Sequence, residues 1–102
     1  MLIGALEAGG TKMVCAVGKE DGTILEQVSI PTSTPEETMP RILEYFSSKE
    51  IKALGVAAFG PVDVNPASPS YGCILDTPKI PWRQFDLLGS LKEKIHVPMG
   101  LD

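Results

Sequence analysis

Residues 7–12, with the sequence Glu-Ala-Gly-Gly-Thr-Lys, carry the side chains best suited to chemistry. Two adjacent glycines let a backbone come close to a phosphate, because no Cβ blocks the approach and positive φ angles are allowed. Thr11 adds a hydroxyl and Lys12 adds a cation. Glu7 is able to hold, through water, the Mg²⁺ ion that travels with a nucleoside triphosphate. The pattern therefore predicts a phosphate-binding turn.

This turn is neither of the two common phosphate-binding loops. A Walker A loop requires GxxxxGK[ST] and a dinucleotide fingerprint requires GxGxxG, and both open into a helix. Here apolar runs at residues 2–7 and 13–17 predict a strand on each side, so Gly9-Gly10 should form the tip of a hairpin. On spacing alone, a type I′ turn that binds nothing remains an alternative.

The elements that follow must hold this hairpin in place. Residues 23–30, in which positions 24, 25, 28 and 30 are apolar, predict a third strand that completes an antiparallel meander after the Asp21-Gly22 turn. Thr34-Pro35 then provides an N-cap and a favourable first helical residue, with Glu37 in a capping box. Pro40 cannot donate a hydrogen bond, so we expect a kink or a helix that starts nearer Met39. One helical face is apolar: Met39, Ile42, Leu43 and Phe46.

The second half of the sequence predicts parallel strands. Residues 53–59 are apolar throughout, which is typical of a central strand covered on both faces by helices. Residues 61–85 are rich in Pro, Ser and aromatic residues and predict a loop with a short strand or hairpin at 72–75. Asp86 is placed to cap a second helix, and residues 97–101 predict a last buried strand. The second helix has its own apolar stripe: Leu87, Leu88, Leu91 and Ile95.

The order β-β-β-α-β-loop-α-β defines an α/β fold, in which a three-stranded antiparallel meander continues into parallel strands with crossover helices. A chain of 102 residues makes one domain at most. Its last predicted strand reaches Asp102 with no turn, cap or polar tail, so we expect a fragment of a longer protein.

Composition narrows the partners. The net charge is −4, with nine Lys and Arg against thirteen Asp and Glu, which argues against nucleic acid and favours a small molecule or another protein. Cys15 and Cys73 have no metal-ligand or CxxC spacing and are expected to be small buried residues in a reducing compartment. From the residues given, we expect neither a secretory signal nor a membrane span. We therefore expect a cytoplasmic protein.

Four segments spread over the chain resemble the ROK family of sugar kinases, within the actin-like ATPase (ribonuclease H-like) superfamily. Residues 3–12 resemble its first phosphate motif, a strand ending in an acid and x-Gly-Gly-Thr-Lys. Residues 57–63, Ala-Ala-Phe-Gly-Pro-Val-Asp, resemble its strand-Gly-Pro-Val motif at the sugar cleft. Residues 71–82 resemble its Gly-x-Ile…Thr-Pro-x…Trp segment, and residues 97–101 resemble the strand before the catalytic loop. The resemblance implies a partial N-terminal actin-like ATPase domain over residues 1–102, with the second domain absent.

The resemblance also implies the ligands and their sites. ATP and Mg²⁺ would bind at the first motif: Ala5, Leu6, Glu7, Ala8, Gly9, Gly10, Thr11 and Lys12. A hexose would lie at a second group: Gly60, Pro61, Thr77, Pro78 and Lys79. The family's general base would fall two residues beyond Asp102, so no catalytic residue is expected in this segment. No metal ligand is expected either, because the family's zinc-binding His and Cys cluster lies further along the chain.

Two departures point to one branch of the family. Glu7 stands where most members have Asp, and Lys79 stands where many glucose-type kinases have Asn. Both look like the fructokinase branch, which implies transfer of phosphate from ATP to the 6-hydroxyl of D-fructose, in a full-length protein that forms a homodimer. Alternatives are a ROK kinase for glucose, mannose or an N-acetylated sugar, a sugar-sensing regulator, or an interaction domain. The regulators carry a helix-turn-helix ahead of the first strand, which begins at residue 2 here.

Several residues also have plain structural interpretations. Gly60-Pro61 could simply end a strand, and Trp82 and Phe85 could pack in a core beneath the loop. His96 follows the predicted end of a helix and is expected to be solvated.

Overall fold

A five-stranded mixed sheet with two helices on one face organises the chain in the computed structural model, which describes residues 1–58 and 61–102. The sheet order is β3-β2-β1-β4-β5; β1, β2 and β3 pair antiparallel, whereas β4 and β5 run parallel to β1. The predicted meander and parallel extension are confirmed. The strands are β1 (Leu2–Ala8), β2 (Lys12–Lys19), β3 (Ile24–Pro31), β4 (Ile51–Ala58) and β5 (Met99–Leu101); the helices are α1 (Pro35–Ser47) and α2 (Leu87–Lys94).

Both helices pack on the same face of the sheet. The crossovers from β3 to β4 and from β4 to β5 move in the same direction across the sheet, and right-handed connections then place both helices on one side. Leu54 and Val56 of β4 are buried beneath them, while Gly55 and Ala57 are exposed on the other face. The expectation that β4 is covered on both faces is therefore wrong for this chain. The open face forms a groove of about 600 Å³, with small residues along it: Ala5, Ala16, Gly55, Ala57 and Gly100.

Helix α1 begins at Pro35, so the alternative start near Met39 is wrong. Thr34 occupies the N-cap position as predicted, but its hydroxyl makes no capping hydrogen bond to the backbone. The buried hydroxyl of Thr38 instead accepts a hydrogen bond from the backbone N–H of Ser33 at 2.9 Å, which ties the helix to the chain before it. Pro40 lies on the exposed side of the helix, where water can bond the carbonyl that loses its partner.

The predicted cap of α2 is confirmed. The Asp86 carboxylate accepts a hydrogen bond from the Gly89 N–H at 2.9 Å. A Cβ at Gly89 would collide with that carboxylate in its present conformation, so a larger residue here would have to displace the Asp86 side chain. The predicted stripe of this helix is buried: Leu87, Leu88, Leu91 and Ile95.

The long loop before α2 differs from the prediction. No strand forms at residues 72–75, which make only isolated bridges, Val62 to Ile74 and Cys73 to Asp86. Gly72, at the start of this segment, has a φ of +84°, which lies outside the strand region. Trp82 is fully buried and contacts Phe85 edge to face, with 5.3 Å between the ring centroids. The two rings therefore pack beneath the loop, as the structural interpretation of these residues predicts.

The remaining single residues mostly follow the sequence. Cys15 is fully buried, and burial raises the pKa of its thiol to about 11, which keeps it protonated. Cys73 is only half-buried rather than fully buried. His96 is exposed, as predicted. Among residues 1–58 and 61–102, no helix has the length and apolar character needed to cross a membrane.

Candidate functional site

One edge of the sheet gathers the predicted site residues. Strands β1, β4 and β5 are parallel, and their register places Ala8 beside Ala58 and Val56 beside Leu101. The hairpin after β1, the segment after β4 and Asp102 after β5 therefore share the edge where these strands end. In open α/β sheets, ligands bind outside the carboxyl ends of the strands.

The hairpin between β1 and β2 is held closed by backbone hydrogen bonds. The Gly9 N–H donates to the Lys12 carbonyl at 3.0 Å, which leaves Gly10 and Thr11 at the tip. Neither Gly9, Gly10 nor Thr11 has a positive φ. A type I′ turn needs positive φ at both central residues, so the tip is not a turn of that type, and the freedom of glycine to adopt positive φ is not used here.

The two glycines of the hairpin have different surroundings. A Cβ built on Gly9 would lie 2.7 Å from the Lys12 carbonyl oxygen, so the hairpin itself requires glycine there. A Cβ built on Gly10 meets, among the residues the structure describes outside its chain neighbours, only Cε of Lys79 within 4 Å, at 3.7 Å. The fold would therefore accept a side chain at Gly10, and the space beside its backbone is open.

Side chains before the tip alternate between the core and the open face. Leu6 and Ala8 are buried in the core, whereas Ala5 and Glu7 face the open groove. The Glu7 carboxylate is exposed and has no hydrogen-bond partner among the described residues, and Thr11 and Lys12 are also exposed. An exposed carboxylate suits a hydrated Mg²⁺ ion, and an open stretch of backbone at Gly10 leaves room for a phosphate.

The second predicted group continues from the same edge. Pro61 is exposed, and its carbonyl accepts a hydrogen bond from the Leu75 N–H at 2.8 Å. Thr77 is buried, and its hydroxyl accepts a hydrogen bond from the Lys79 N–H at 3.3 Å. Pro78 and Lys79 are exposed. Gly60, the remaining residue of this group, lies outside the described residues.

Two residues that the sequence analysis did not single out connect the groups. Thr32 donates its hydroxyl to the Gly9 carbonyl at 2.8 Å and its N–H to the Thr11 carbonyl at 2.9 Å. Ser33 accepts, at its carbonyl, a 2.7 Å hydrogen bond from the Trp82 indole. The role of Thr32 could have been inferred from the register of the meander, because the pairing of Lys12 with Pro31 puts Thr32 opposite the tip.

Asp63, from the segment that resembles the sugar-cleft motif, has a structural role in its own loop. Hydrogen bonds from Ser68 and Ser70, and from the backbone N–H of Asn65, hold the pKa of Asp63 below its usual range. The carboxylate is therefore ionised at neutral pH and closes the turn at residues 63–70.

Residues 3–102 match the model of the ROK family, and the chain belongs to that family. It is 50% identical over 99 residues to a fructokinase of Pediococcus pentosaceus, covering 97% of this chain and 34% of that protein. It is 41% identical over 96 residues to a fructokinase of Lactococcus lactis subsp. cremoris, covering 94% of this chain and 33% of that protein. The chain thus spans about a third of the length of the curated relatives it matches.

Solved structures agree on the fold. A ROK family glucokinase from Streptomyces griseus, solved in complex with glucose and AMPPNP, superposes with a TM-score of 0.73 at 24% identity. The match covers 100% of this chain and 33% of that one. The α/β fold of this chain accordingly matches part of the ROK kinase fold, which is the actin-like ATPase fold that the sequence predicts.

Proposed function

We propose that this chain is the N-terminal part of an ATP-dependent hexose kinase, and that the hexose is D-fructose, phosphorylated at its 6-hydroxyl. The names of the relatives with 41–50% identity support fructose. The glucose and AMPPNP bound to the Streptomyces griseus structure support a hexose and ATP as the two substrates. The longer protein that would carry residues 1–102 is called the intact kinase below.

The surroundings of Gly10 carry the proposal. Gly10 is a glycine that the fold does not require, at the tip of a hairpin held by hydrogen bonds and three residues after the exposed Glu7. This arrangement is expected where a ligand must touch the backbone. Gly9 does not give the same argument, because its missing side chain is already explained by the Lys12 carbonyl.

We assign the following roles to the first group. The phosphates of ATP lie against residues 9–12, where backbone N–H groups and the Lys12 ammonium meet negative charge. Ala5 borders the site on the open face, while Leu6 and Ala8 position the hairpin through the core. When bound, Mg²⁺ held through water by Glu7 would neutralise part of the phosphate charge.

The hexose is assigned to the second group of residues: Gly60, Pro61, Thr77, Pro78 and Lys79. Phosphoryl transfer requires the sugar hydroxyl to lie in line with the terminal phosphate, so adjacent sites for sugar and phosphate are needed. The carboxylate base that takes the hydroxyl proton is assigned to an Asp that follows Asp102 in the intact kinase. This segment then binds and orients but does not move the proton.

The wider properties of the intact kinase are part of the same proposal. We assign to it a structural zinc ion bound outside this segment, a homodimeric state, a cytoplasmic location and no nucleic-acid partner. Elemental analysis and light scattering on the purified intact kinase test the first two. Absence of zinc or a monomer at micromolar concentration would contradict them without touching the assignment of substrate.

A chimaera tests the proposed activity. Residues 1–102 replace the matching third of the Pediococcus pentosaceus fructokinase, and a coupled assay follows ADP formation with fructose, glucose and mannose. We expect turnover with ATP and the highest kcat/KM for fructose. A folded chimaera that prefers glucose or mannose would move the substrate to another hexose, and one that binds sugar without turnover would favour the regulator.

A further inference from the structure

The side chain of Lys79 lies beside Gly10, at the tip of the hairpin between β1 and β2. Its Cε is 3.7 Å from the position of a Cβ on Gly10, although the two residues belong to different segments of the chain. Lys79 is exposed, so its ammonium group can be solvated in the free protein and can reach a ligand at the tip. The loop at 77–79 therefore brings a second cation to a site where Lys12 is the first.

The backbone around Lys79 is fixed by buried neighbours. Its N–H donates to the hydroxyl of Thr77, which is 1% exposed, and its carbonyl accepts a 2.9 Å hydrogen bond from the backbone N–H of Trp82. The Trp82 indole in turn donates to the Ser33 carbonyl. Lys79 is thus held on a short, buried support rather than on a free loop.

The same support holds the hairpin. Thr32, next to Ser33, bonds the carbonyls of Gly9 and Thr11. Thr32-Ser33 therefore fixes the hairpin on one side and, through Trp82, the turn that carries Lys79 on the other. This common attachment keeps the Lys79 side chain and the Gly10 backbone close together.

We propose that Lys79 contacts the terminal phosphate of the nucleotide bound at Gly9-Gly10-Thr11-Lys12. The inference rests on the proposed function and deepens it: the ammonium donates charge-assisted hydrogen bonds to the phosphate to be transferred, at the junction with the sugar site. It differs from the sequence-based expectation, which treats Lys79 as a residue of the sugar wall. Because the ammonium meets the last phosphate, its loss should affect a triphosphate more than a mono- or diphosphate.

The test compares nucleotides on the intact kinase. Titration calorimetry measures the dissociation constants of AMPPNP, ADP and AMP for the wild type, Lys79→Met and Lys79→Arg. We expect Lys79→Met to weaken AMPPNP by roughly 10- to 100-fold, ADP by less and AMP not at all, the range given by a charged hydrogen bond. Lys79→Arg should keep AMPPNP within about threefold, since it keeps the charge. Lys92→Met, on the exposed side of α2, is the matched control and should change nothing.

The outcomes separate this inference from the function on which it rests. If the wild type binds AMPPNP and Lys79→Met binds it equally well, the phosphate contact is refuted while the kinase proposal stands. The phosphate contact is also refuted if Lys79→Met changes only the ratio of kcat/KM values among fructose, glucose and mannose, because that result returns Lys79 to the sugar wall. If the wild type binds none of the three nucleotides, both proposals fail.

Discussion

Replacing Trp82 by phenylalanine should lower the free energy of unfolding by about 1.5–2.5 kcal/mol. The indole is fully buried and donates a 2.7 Å hydrogen bond to the Ser33 carbonyl. Phenylalanine cannot donate, and because Ser33 is exposed, water can replace the indole, so the lost hydrogen bond costs about 0.5–1.5 kcal/mol. The smaller ring also leaves a void in the core, for which we add about 1 kcal/mol. A loss of this size is a large share of the roughly 5–15 kcal/mol that stabilises a typical domain.

Urea unfolding measures this loss. Trp82 is the single tryptophan, so far-UV circular dichroism must be the signal for both proteins. Phe85→Leu is the matched control, because it removes the edge-to-face ring contact but leaves the indole hydrogen bond. We expect the control to lose about 0.5–1.5 kcal/mol. A Trp82→Phe variant within about 0.5 kcal/mol of the wild type would refute the argument that this hydrogen bond joins the loop to the hairpin.

Three further predictions concern other parts of the chain. Gly72→Ala should cost about 2–4 kcal/mol in urea unfolding, because φ is +84° and the new Cβ would lie 2.5 Å from that of Leu88; a loss below about 1 kcal/mol would contradict this. Burial and a hydrogen bond to Glu26 raise the pKa of Tyr45 from 10 to about 12. The protonated phenol therefore stabilises the fold below pH 10, and this contribution is lost as the pH rises towards 12. Between pH 10 and pH 12 the Tm of the wild type should fall more steeply than the Tm of Tyr45→Phe. Parallel plots of Tm against pH for the two proteins would contradict this. Residues 1–102 alone should show no fructokinase turnover in a coupled assay, because the hairpin forms one side of a site that must close around the phosphates. Turnover at the rate of a complete kinase would contradict this and would make Asp102 the first candidate for the catalytic base.

The elements governed by local patterns were predictable from the sequence. The meander follows from apolar runs and tight turns, and the cap of α2 follows from Asp86 ahead of a helical stripe. The hairpin at Gly9-Gly10 was predictable for the same reason. The start of α1 was not, because the effect of Pro40 depends on which side of the helix it occupies: the proline lies on the exposed side, where its missing N–H does little harm.

Non-local contacts explain what the sequence did not predict. The open face of β4 depends on both crossovers passing on the same side, which requires the strand order and not only the apolar pattern. The approach of Lys79 to Gly10 depends on the bond between Trp82 and Ser33, two residues in different irregular segments. Neither segment has a periodicity from which such a contact could be inferred.

The affinity of a Gly10→Val intact kinase for AMPPNP, measured by titration calorimetry, tests the central claim most directly. A Cβ at Gly10 makes only an ordinary van der Waals contact, with Cε of Lys79 at 3.7 Å, but stands where the phosphates would contact the backbone. We predict that the variant keeps the unfolding free energy of the wild type within about 1 kcal/mol and loses AMPPNP binding at least about 100-fold. Gly9→Ala should instead lose stability, because its Cβ would press on the Lys12 carbonyl. A folded Gly10→Val variant that binds AMPPNP as tightly as the wild type would contradict the assignment of the hairpin to phosphate.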